Sequence, residues 1–307
     1  MPPPPTPLKI AITGCTGTVG THVVRRALAD GHAVVAIDCA PPAEGLSKID
    51  AAEGSALSYV EADATDYDAF LAAAQGCTAL IHLAAVYTLR APDGTILREV
   101  PQHVIHNTNT AMSWNALSVA RALGINRVVM ASSVNAVGMI FSNRPRFDYI
   151  PLDEDHPLYP EDAYSVCKRE SEIQSEAFAR RYPGMRIASL RFHWVIPDEL
   201  AYDPVALDSK KGTERDLWGW VSTTETARAC MLALTAPEAT FPPGHEAFFI
   251  VAPTAVQRRS SAELLAEHYP EITDVRRAFT GNEGFYDVSK AERMLGWKER
   301  AFLWTRE

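Results

Sequence analysis

Paired cysteines, long apolar runs and positive charge are all scarce in this sequence. The five cysteines are scattered without a CxxC spacing, which is typical of a reducing compartment and excludes a disulfide framework. No apolar stretch approaches the roughly 18 residues that a membrane-spanning helix needs, and the N-terminus lacks a signal pattern. The net charge of −9 disfavours nucleic acid and anionic membrane surfaces as partners. We therefore expect a cytoplasmic protein with neither partner.

Strand-like and helix-like segments alternate over the first two thirds of the chain, after a flexible proline-rich tail at residues 1–7. Apolar runs predict strands at Leu8–Thr13, Ala33–Asp38, Leu57–Glu61, Ala79–Leu83, Arg127–Ser132 and Arg186–Arg191. Helices are predicted between them at residues 18–30, 67–75, 103–123 and 162–181. This alternation predicts an α/β fold, a Rossmann-type doubly wound parallel sheet with helices on both faces.

The regular alternation ends after Pro197. Helices at residues 224–234, 261–268 and 288–295 and a strand at 247–251 form an irregular remainder, which predicts a small C-terminal substrate lobe. We therefore expect residues 8–191 to form a dinucleotide-binding domain that carries the catalytic residues. Residues 192–307 are expected to form a substrate-side lobe intertwined with it.

A glycine-rich turn, TGCTGTVG at residues 13–20, follows the first strand. Gly14 permits a tight turn, Gly17 lets the backbone approach a pyrophosphate, and Gly20 lets the next helix pack closely. Glycines near a strand often form only a turn, but Asp38 ends the second strand 18 positions beyond Gly20. A carboxylate there accepts hydrogen bonds from ribose hydroxyls, and no arginine follows that would offset a 2′-phosphate. The pattern favours NAD over NADP.

A tyrosine and a lysine four positions apart, Tyr164 and Lys168, share a face of a predicted helix. A phenol of pKa about 10 is too protonated at neutral pH to act as a base. A nearby ammonium and a cationic nicotinamide favour the phenolate, and a shift of about 3 units requires only about 4 kcal/mol. Ser132 and Ser133 end the fifth strand at the same edge, where a hydroxyl is needed to hold the substrate oxygen. Asn109 is expected to hold a water that relays protons to Lys168.

In the order and spacing of these motifs the chain resembles an extended short-chain dehydrogenase/reductase of the NAD-dependent epimerase/dehydratase family. The landmarks are TGCTGTVG, Asp38, DATD, HLAA, Asn109, SSVNAVG, YSVCK and LRFHWVIP, which cover about residues 8–200. The resemblance implies Ser133, Tyr164, Lys168 and Asn109 as catalytic residues, with Lys168 binding the nicotinamide ribose. Together with the carboxyl ends of the strands, it implies a cofactor site formed by Gly14, Thr16, Gly17, Thr18, Val19, Gly20, Asp38, Asp63, Ala64, Leu83, Ala84, Ala85, Lys168 and Phe192.

Two departures from the pattern of this family bear on the reaction. Val137 replaces the tyrosine that usually precedes Gly138, and Val134 and Asn135 stand where sugar-nucleotide dehydratases have an Asp-Glu pair, which disfavours dehydration. His82 is more simply a core histidine than a catalytic one. No metal site is expected.

The segment between Arg191 and Arg215 is only 23 residues long and contains Asp198, Glu199, Asp203 and Asp208. Acidic residues disfavour a diphosphate, so we expect a small free substrate. Residues 215–222 resemble uronate dehydrogenases, which implies that Arg215 holds a sugar carboxylate, although a solvated loop arginine is the alternative. The predicted substrate site is Ser133, His193, Trp194 and Arg215.

These expectations describe an NAD-dependent oxidoreductase that transfers hydride between NAD and a free sugar or a uronate-like sugar acid. Three alternatives stay open: a sugar epimerase that retains NAD, an NAD(P)H-dependent aldehyde or ketone reductase, and a dinucleotide sensor without turnover. Helices 103–123 and 162–181 carry apolar stripes, and the family resemblance implies a homodimer through them. Packing within one chain produces similar stripes.

Overall fold

A computed structural model describes residues 7–52, 54–90, 96–198 and 213–298. Its strands, in chain order, are β1 (Lys9–Thr13), β2 (Ala33–Asp38), β3 (Leu57–Glu61), β4 (Ala79–His82), β5 (Leu89–Arg90), β6 (Ile96–Arg98), β7 (Arg127–Ser133), β8 (Arg186–Phe192), β9 (Val195–Ile196), β10 (Val221–Ser222) and β11 (Gly244–Ile250). Seven of them form one sheet in the order β11-β8-β7-β4-β1-β2-β3, with every neighbouring pair parallel.

Helices cover both faces of this sheet. In chain order they are α1 (Thr18–Ala29), α2 (Pro42–Ile49), α3 (Tyr67–Ala73), α4 (Gln102–Ala122), α5 (Ala163–Arg181), α6 (Thr223–Thr235), α7 (Ser261–His268) and α8 (Ser289–Leu295). Val24 of α1 and Leu234 of α6 belong to the apolar core on one face, and Leu117 of α4 and Phe178 of α5 to the core on the other. The predicted doubly wound α/β architecture is confirmed.

Burial explains why the central strands are apolar throughout. All four residues of β4 and all seven of β8 are buried, because helices remove both faces of these strands from water. The edge strand β3 is only partly buried. The strands and helices predicted within residues 8–191 are all present, and their ends lie within two residues of the predicted ones. The sequence pattern missed α2, whose segment begins with a proline and contains Gly45.

The C-terminal part contributes to the main sheet as well as to a separate core. The strand predicted at residues 247–251 is β11, which begins at Gly244 and forms the edge of the main sheet beside β8. A third apolar cluster joins Val137, after β7, to Trp218, Trp220 and Phe285 of the C-terminal part. The predicted boundary at residue 192 therefore separates elements that share one sheet.

Some sequence predictions concern residues outside the described ranges. These are residues 1–6 of the proline-rich tail and the acidic residues Glu199, Asp203 and Asp208. Within the described ranges, no helix is both long enough and apolar enough to cross a membrane.

The strand order creates a crevice between the carboxyl ends of β1 and β4. The chain runs from β1 outward to β2 and β3 and then returns to place β4 on the other side of β1. The connections after β1 and β4 therefore leave the sheet in opposite directions. Open α/β sheets bind ligands at such a point, because the diverging loops leave space above the strand ends.

Candidate active site

The loop between β1 and α1 has no room for a side chain at two of its glycines. A Cβ on Gly14, whose φ is +68°, would lie 2.6 Å from the amide nitrogen of Ala84. A Cβ on Gly20 would lie 2.1 Å from the carbonyl oxygen of Gly14. Gly17 and Thr18 are exposed at the start of α1, and no side chain caps its first amides. Free amides at the positive end of a helix suit the phosphates of a dinucleotide.

Asp38, at the end of β2, holds this loop in place. Its Oδ2 accepts hydrogen bonds from the amide and hydroxyl of Thr16, at 3.0 and 2.9 Å, and its Oδ1 accepts one from the amide of Ala40 at 3.3 Å. The thiol of Cys39 makes a weaker contact with Oδ1 at 3.7 Å. A ribose hydroxyl could donate to Oδ1 in place of the Cys39 thiol. Asp38 therefore fits its predicted role in cofactor binding, and its bonds to Thr16 also hold the loop in shape.

The strand ends of β3 and β4 complete the same edge. Asp63 is exposed after β3, and the side chain of Asn115 in α4 donates to the carbonyls of Ala64 and Thr65 at 3.0 and 2.9 Å. Leu83 donates its amide to the carbonyl of Thr13 at 3.2 Å. The predicted cofactor residues at the ends of β1, β2, β3 and β4 therefore lie along one edge of the sheet, with Val19 in the first turn of α1 and Ala84 and Ala85 after β4.

Ser133, Tyr164 and Lys168 meet at the end of β7. Ser133 is the last residue of β7 and pairs in register with Phe192, the last residue of β8. The Ser133 hydroxyl accepts the amide of Asn135 at 3.1 Å and lies near enough to the Tyr164 phenol to lower its pKa. The Nζ atom of Lys168 lies 5.5 Å from the centre of the Tyr164 ring and donates to the carbonyl of Ala131 at 2.7 Å. Asp162 caps α5 through the amides of Tyr164 and Ser165.

The pKa of Tyr164 differs from the sequence expectation. Burial raises it above the usual value of a tyrosine, and the nearby Ser133 side chain opposes this only in part. Lys168 donates to a backbone carbonyl, and burial lowers its own pKa. The charge of Lys168 therefore does not by itself make the phenol acidic. A cationic nicotinamide beside the phenol would add to the effect of Lys168 and favour the phenolate.

Asn109 holds the loop that follows β4. Its Oδ1 accepts the amide of Val86 at 2.8 Å, and its Nδ2 donates to the carbonyl of Val86 at 2.7 Å. With this partner the amide clamps the loop after β4 against α4. The role of Asn109 in holding a relay water stays a prediction.

His82 is a core residue, as the sequence favoured. Its Nδ1 lies 2.8 Å from the hydroxyl of Thr13, and the residue is buried at the end of β4. Burial, and then the positive charge of Lys168, lower the pKa of His82 to about 3. The imidazole is therefore neutral at physiological pH.

The buried imidazole predicts a loss of stability in acid. Between pH 6.5 and about 3 the unfolded state binds a proton at His82 that the folded state does not bind. The free energy of unfolding contributed by this residue should therefore fall by about 1.4 kcal/mol per pH unit below pH 6.5. Urea denaturation of the wild type and His82→Gln, each at pH 7.5 and 5.0, measures the effect. The loss between the two values should be about 2 kcal/mol smaller in the variant, and equal losses would contradict the assignment.

A cavity of about 550 Å³ opens in front of Tyr164, and several aromatic side chains stand in its wall. The rings of Tyr87 and Phe141 meet the Tyr164 ring edge-on, at centroid distances of 6.5 and 5.9 Å. Both are about half exposed, at 48% and 50%. Asp162 and Asp216 also line the cavity, and no lysine or arginine of the described ranges does so. The wall therefore combines aromatic, aliphatic and neutral polar residues with two acidic ones.

His193 and Trp194 line this cavity as predicted. The Nε2 of His193 donates to the carbonyl of Asp216 at 2.9 Å, and its Nδ1 accepts the amide of Trp194 at 2.6 Å. The His193 ring also packs edge-on against Tyr286, with centroids 5.4 Å apart. Both ring nitrogens thus bind backbone groups, so His193 shapes the wall and is not placed to act as a base.

Arg215 is not where the carboxylate assignment requires it. Its Nη2 donates to the carbonyl of Ser142 and, at 3.4 Å, to the carbonyl of Asn143. Arg215 is absent from the cavity wall, which its neighbour Asp216 occupies instead. The prediction that Arg215 holds a sugar carboxylate is therefore not supported. Its guanidinium ties the C-terminal part to the segment that follows β7.

Tyr87, Phe141 and Asp216 are among the wall residues that sequence reasoning missed. Tyr87 follows the strand end at Leu83–Ala85, where ligand contacts were already expected, so its position carried a signal. Phe141 lies in an irregular segment beyond a 3₁₀ turn at Val134–Val137. No periodicity marks such a residue, and only the tertiary fold brings it beside Tyr164.

A model of the NAD-dependent epimerase/dehydratase family matches residues 10–246. The chain is 26% identical over 194 residues to a dTDP-6-deoxy-L-talose 4-dehydrogenase (NAD(+)) of Aggregatibacter actinomycetemcomitans, covering 62% of this chain and 63% of the relative. It is 28% identical over 195 residues to an L-arabinose 1-dehydrogenase (NAD(P)(+)) of Haloferax volcanii, covering 61% of this chain and 67% of the relative. The alignments thus span about two thirds of these relatives.

Among solved structures, a mutated uronate dehydrogenase superposes with a TM-score of 0.61, covering 96% of this chain and 82% of that one at 20% identity. This likeness shows a shared fold.

Proposed function

We propose that this chain, which belongs to the NAD-dependent epimerase/dehydratase family, oxidises a small neutral hydroxylated substrate. The substrate is of the free-sugar class, and the cofactor is NAD. One observation carries the proposal. Ser133 and Tyr164 lie at a cavity of about 550 Å³ that has carboxylates and no described lysine or arginine in its wall.

The loop and strand ends described above provide the residues that would hold the cofactor. Gly14, Gly17 and Gly20 form the phosphate cradle, Asp38 meets the adenosine ribose, and Lys168 and Phe192 lie toward the nicotinamide. When bound, NAD accepts the hydride from the substrate carbon or returns it.

The catalytic roles follow from the contacts at the end of β7. The Ser133 hydroxyl orients the substrate oxygen, and Tyr164 takes the hydroxyl proton as the carbonyl forms. Lys168 keeps a positive charge 5.5 Å from the Tyr164 ring, which favours the phenolate. In the reverse direction the same groups protonate the oxygen of an aldehyde or ketone, so the reductase alternative is this reaction run backward.

Electrostatics favour a neutral substrate over a sugar acid. A carboxylate in this cavity would meet Asp216, and like charges repel most strongly where water is excluded. Arg215, which would have offset the repulsion, donates to the carbonyls of Ser142 and Asn143. The relative from Haloferax volcanii, named for a neutral sugar, is consistent with this choice.

We expect a panel of neutral aldoses and uronates with NAD to give continuous NADH formation, measured by absorbance. The value of kcat/KM should be at least about tenfold higher for a neutral aldose, a preference of about 1.4 kcal/mol. Asp216→Asn should reduce that ratio, because it removes the charge that repels a carboxylate. The matched control is Glu214→Gln, which removes a neighbouring acid that does not line the cavity.

Four outcomes would redirect the proposal. A preference for uronates would restore a carboxylate-binding role, and turnover with NADP alone would contradict the reading of Asp38. Continuous conversion of the substrate without accumulation of NADH would favour the second candidate, a sugar epimerase that retains its cofactor, which the family name includes. Binding of NADH with no turnover of any carbohydrate or carbonyl would favour a dinucleotide sensor.

We also propose a homodimer through α4 and α5. Trp114 of α4 and Ile173 of α5 are about half exposed, at 50% and 46%. Large apolar side chains on neighbouring helices suit burial against a second copy. A cytoplasmic location remains a proposal as well.

A further inference from the structure

A buried carboxylate lies behind the catalytic residues. Glu172 is on α5, one turn beyond Lys168 and two turns beyond Tyr164, so the three side chains share a helix face. Its Oε1 accepts the hydroxyl of Ser132 at 2.7 Å and the Nε of Arg191 at 2.9 Å, and its Oε2 accepts the Nη2 of Arg191 at 2.9 Å. The side chains of Glu172 and Arg191 are 1% and 3% exposed.

Each partner of Glu172 directly precedes a residue of the proposed site. Ser132 precedes Ser133 in β7, and Arg191 precedes Phe192 in β8, and the two pairs lie side by side in register. Because successive strand residues point to opposite faces, holding Ser132 and Arg191 determines the height and orientation of Ser133 and Phe192. One carboxylate thus joins the strand ends that carry Ser133 and Phe192 to the helix that carries Tyr164 and Lys168.

Stability alone explains this arrangement poorly. A buried ion pair loses hydration on folding, and apolar residues of the same volume often stabilise a core equally well. The Nη1 of Arg191 is also buried without a hydrogen-bond partner among the described residues, which costs further free energy. The arrangement does, however, hold three elements at defined distances.

We propose that Glu172 is a positioning residue for the site, setting Ser133 and Phe192 relative to Tyr164 and Lys168 through Ser132 and Arg191. The inference rests on the proposed function for its kinetic readout. It also concerns cofactor binding, which does not depend on the identity of the substrate.

The charges around Glu172 give the proposal a second consequence. Arg191 and Arg169 contact Glu172. Burial lowers the pKa of His245 to about 4, and the nearby charge of Glu172 opposes this lowering. Toward the site, the charge of Glu172 raises the pKa of Lys168 against the lowering effect of burial. His82, Cys167 and the Tyr164 ring also face Lys168. Without Glu172, Lys168 should lose its proton at a lower pH.

The test compares Glu172→Gln and Ser132→Ala with Glu176→Gln, a control that removes a carboxylate one turn further along the same helix. Glu172→Gln should lower kcat by at least about tenfold and weaken NADH binding, measured by fluorescence titration, by about fivefold, because small displacements of reacting groups are costly. Substrate KM should change by less than about threefold, and the basic limb of the pH profile should move to lower pH. Ser132→Ala should show a smaller loss, and Glu176→Gln should match the wild type.

A charge-balanced double variant, Glu172→Gln with Arg191→Gln, covers the case in which the single variant does not fold. It should melt near the wild type and keep the losses in kcat and NADH affinity. Wild-type values of both in the double variant, or in a folded Glu172→Gln, would overturn the proposal. If the wild type turned over no substrate, the proposed function would fail, and NADH affinity would still decide whether Glu172 positions Lys168 and Phe192.

Discussion

Tyr164→Phe should lower kcat by about 10³-fold, within the range that a positioned acid or base contributes. The change removes one oxygen and leaves the ring, so the edge-on packing against Tyr87 and Phe141 should persist. The phenol oxygen beside Ser133 is lost. Asp162 also lines the cavity, but its carboxylate accepts the amides of Tyr164 and Ser165. His193 lines it too and uses both ring nitrogens on backbone groups.

Steady-state kinetics with a turned-over aldose and NADH fluorescence titration measure this prediction. NADH affinity should stay within about threefold of the wild type, because the cofactor is bound before any proton moves. Tyr87→Phe is the matched control, since it removes a phenol oxygen from the same cavity wall and should change kcat by less than about threefold. A Tyr164→Phe enzyme with wild-type turnover would reduce the proposed mechanism to cofactor binding alone.

Gly14→Ala should weaken NADH binding by at least about 100-fold, because two independent constraints act on that residue. Its φ of +68° is strained for any residue with a Cβ, and the new carbon would lie 2.6 Å from the backbone nitrogen of Ala84. The neighbouring atom is backbone, so it cannot move without shifting the end of β4. The loop that presents amides to the phosphates would therefore lose its shape.

Gly184→Ala and Gly17→Ala make this prediction specific. The nearest atom to a Cβ on Gly184 belongs to the Asn126 side chain at 3.8 Å, so this variant should bind NADH as the wild type does. A Cβ on Gly17 meets the carbonyl of Gly14 at 3.4 Å, so the loop should keep its structure while the exposed methyl group obstructs the cofactor. The melting temperature should fall clearly for Gly14→Ala and should not change for Gly184→Ala or Gly17→Ala. Unchanged NADH affinity in Gly14→Ala would remove the phosphate cradle from the proposal.

The sequence predicted this fold well because its signals are local. Apolar runs of strand length, glycines at a turn and helical spacing act within a few residues, and the six strands predicted in residues 8–191 were found within two residues of their predicted ends. Residues at strand ends were also placed correctly, since all parallel strands end at one edge. Gly14, Asp38, Ser133 and Phe192 follow from this rule, although their catalytic and binding roles remain proposals.

Long-range contacts explain why the carboxylate assignment of Arg215 is not supported. Arg215 had the right chemistry for a carboxylate, but its guanidinium reaches carbonyls of Ser142 and Asn143, more than 70 positions earlier in the chain. Backbone carbonyls require hydrogen-bond partners, and the tertiary fold determines which side chain is within their reach.

The sequence by itself determined the parallel sheet, the glycine-rich turn and the family, because these follow from residue spacing along the chain. Only the tertiary structure decided the charge of the substrate cavity, the raised pKa of Tyr164 and the carboxylate behind the catalytic helix. Those properties depend on desolvation and on distances between groups far apart in sequence, and neither is encoded in any local pattern.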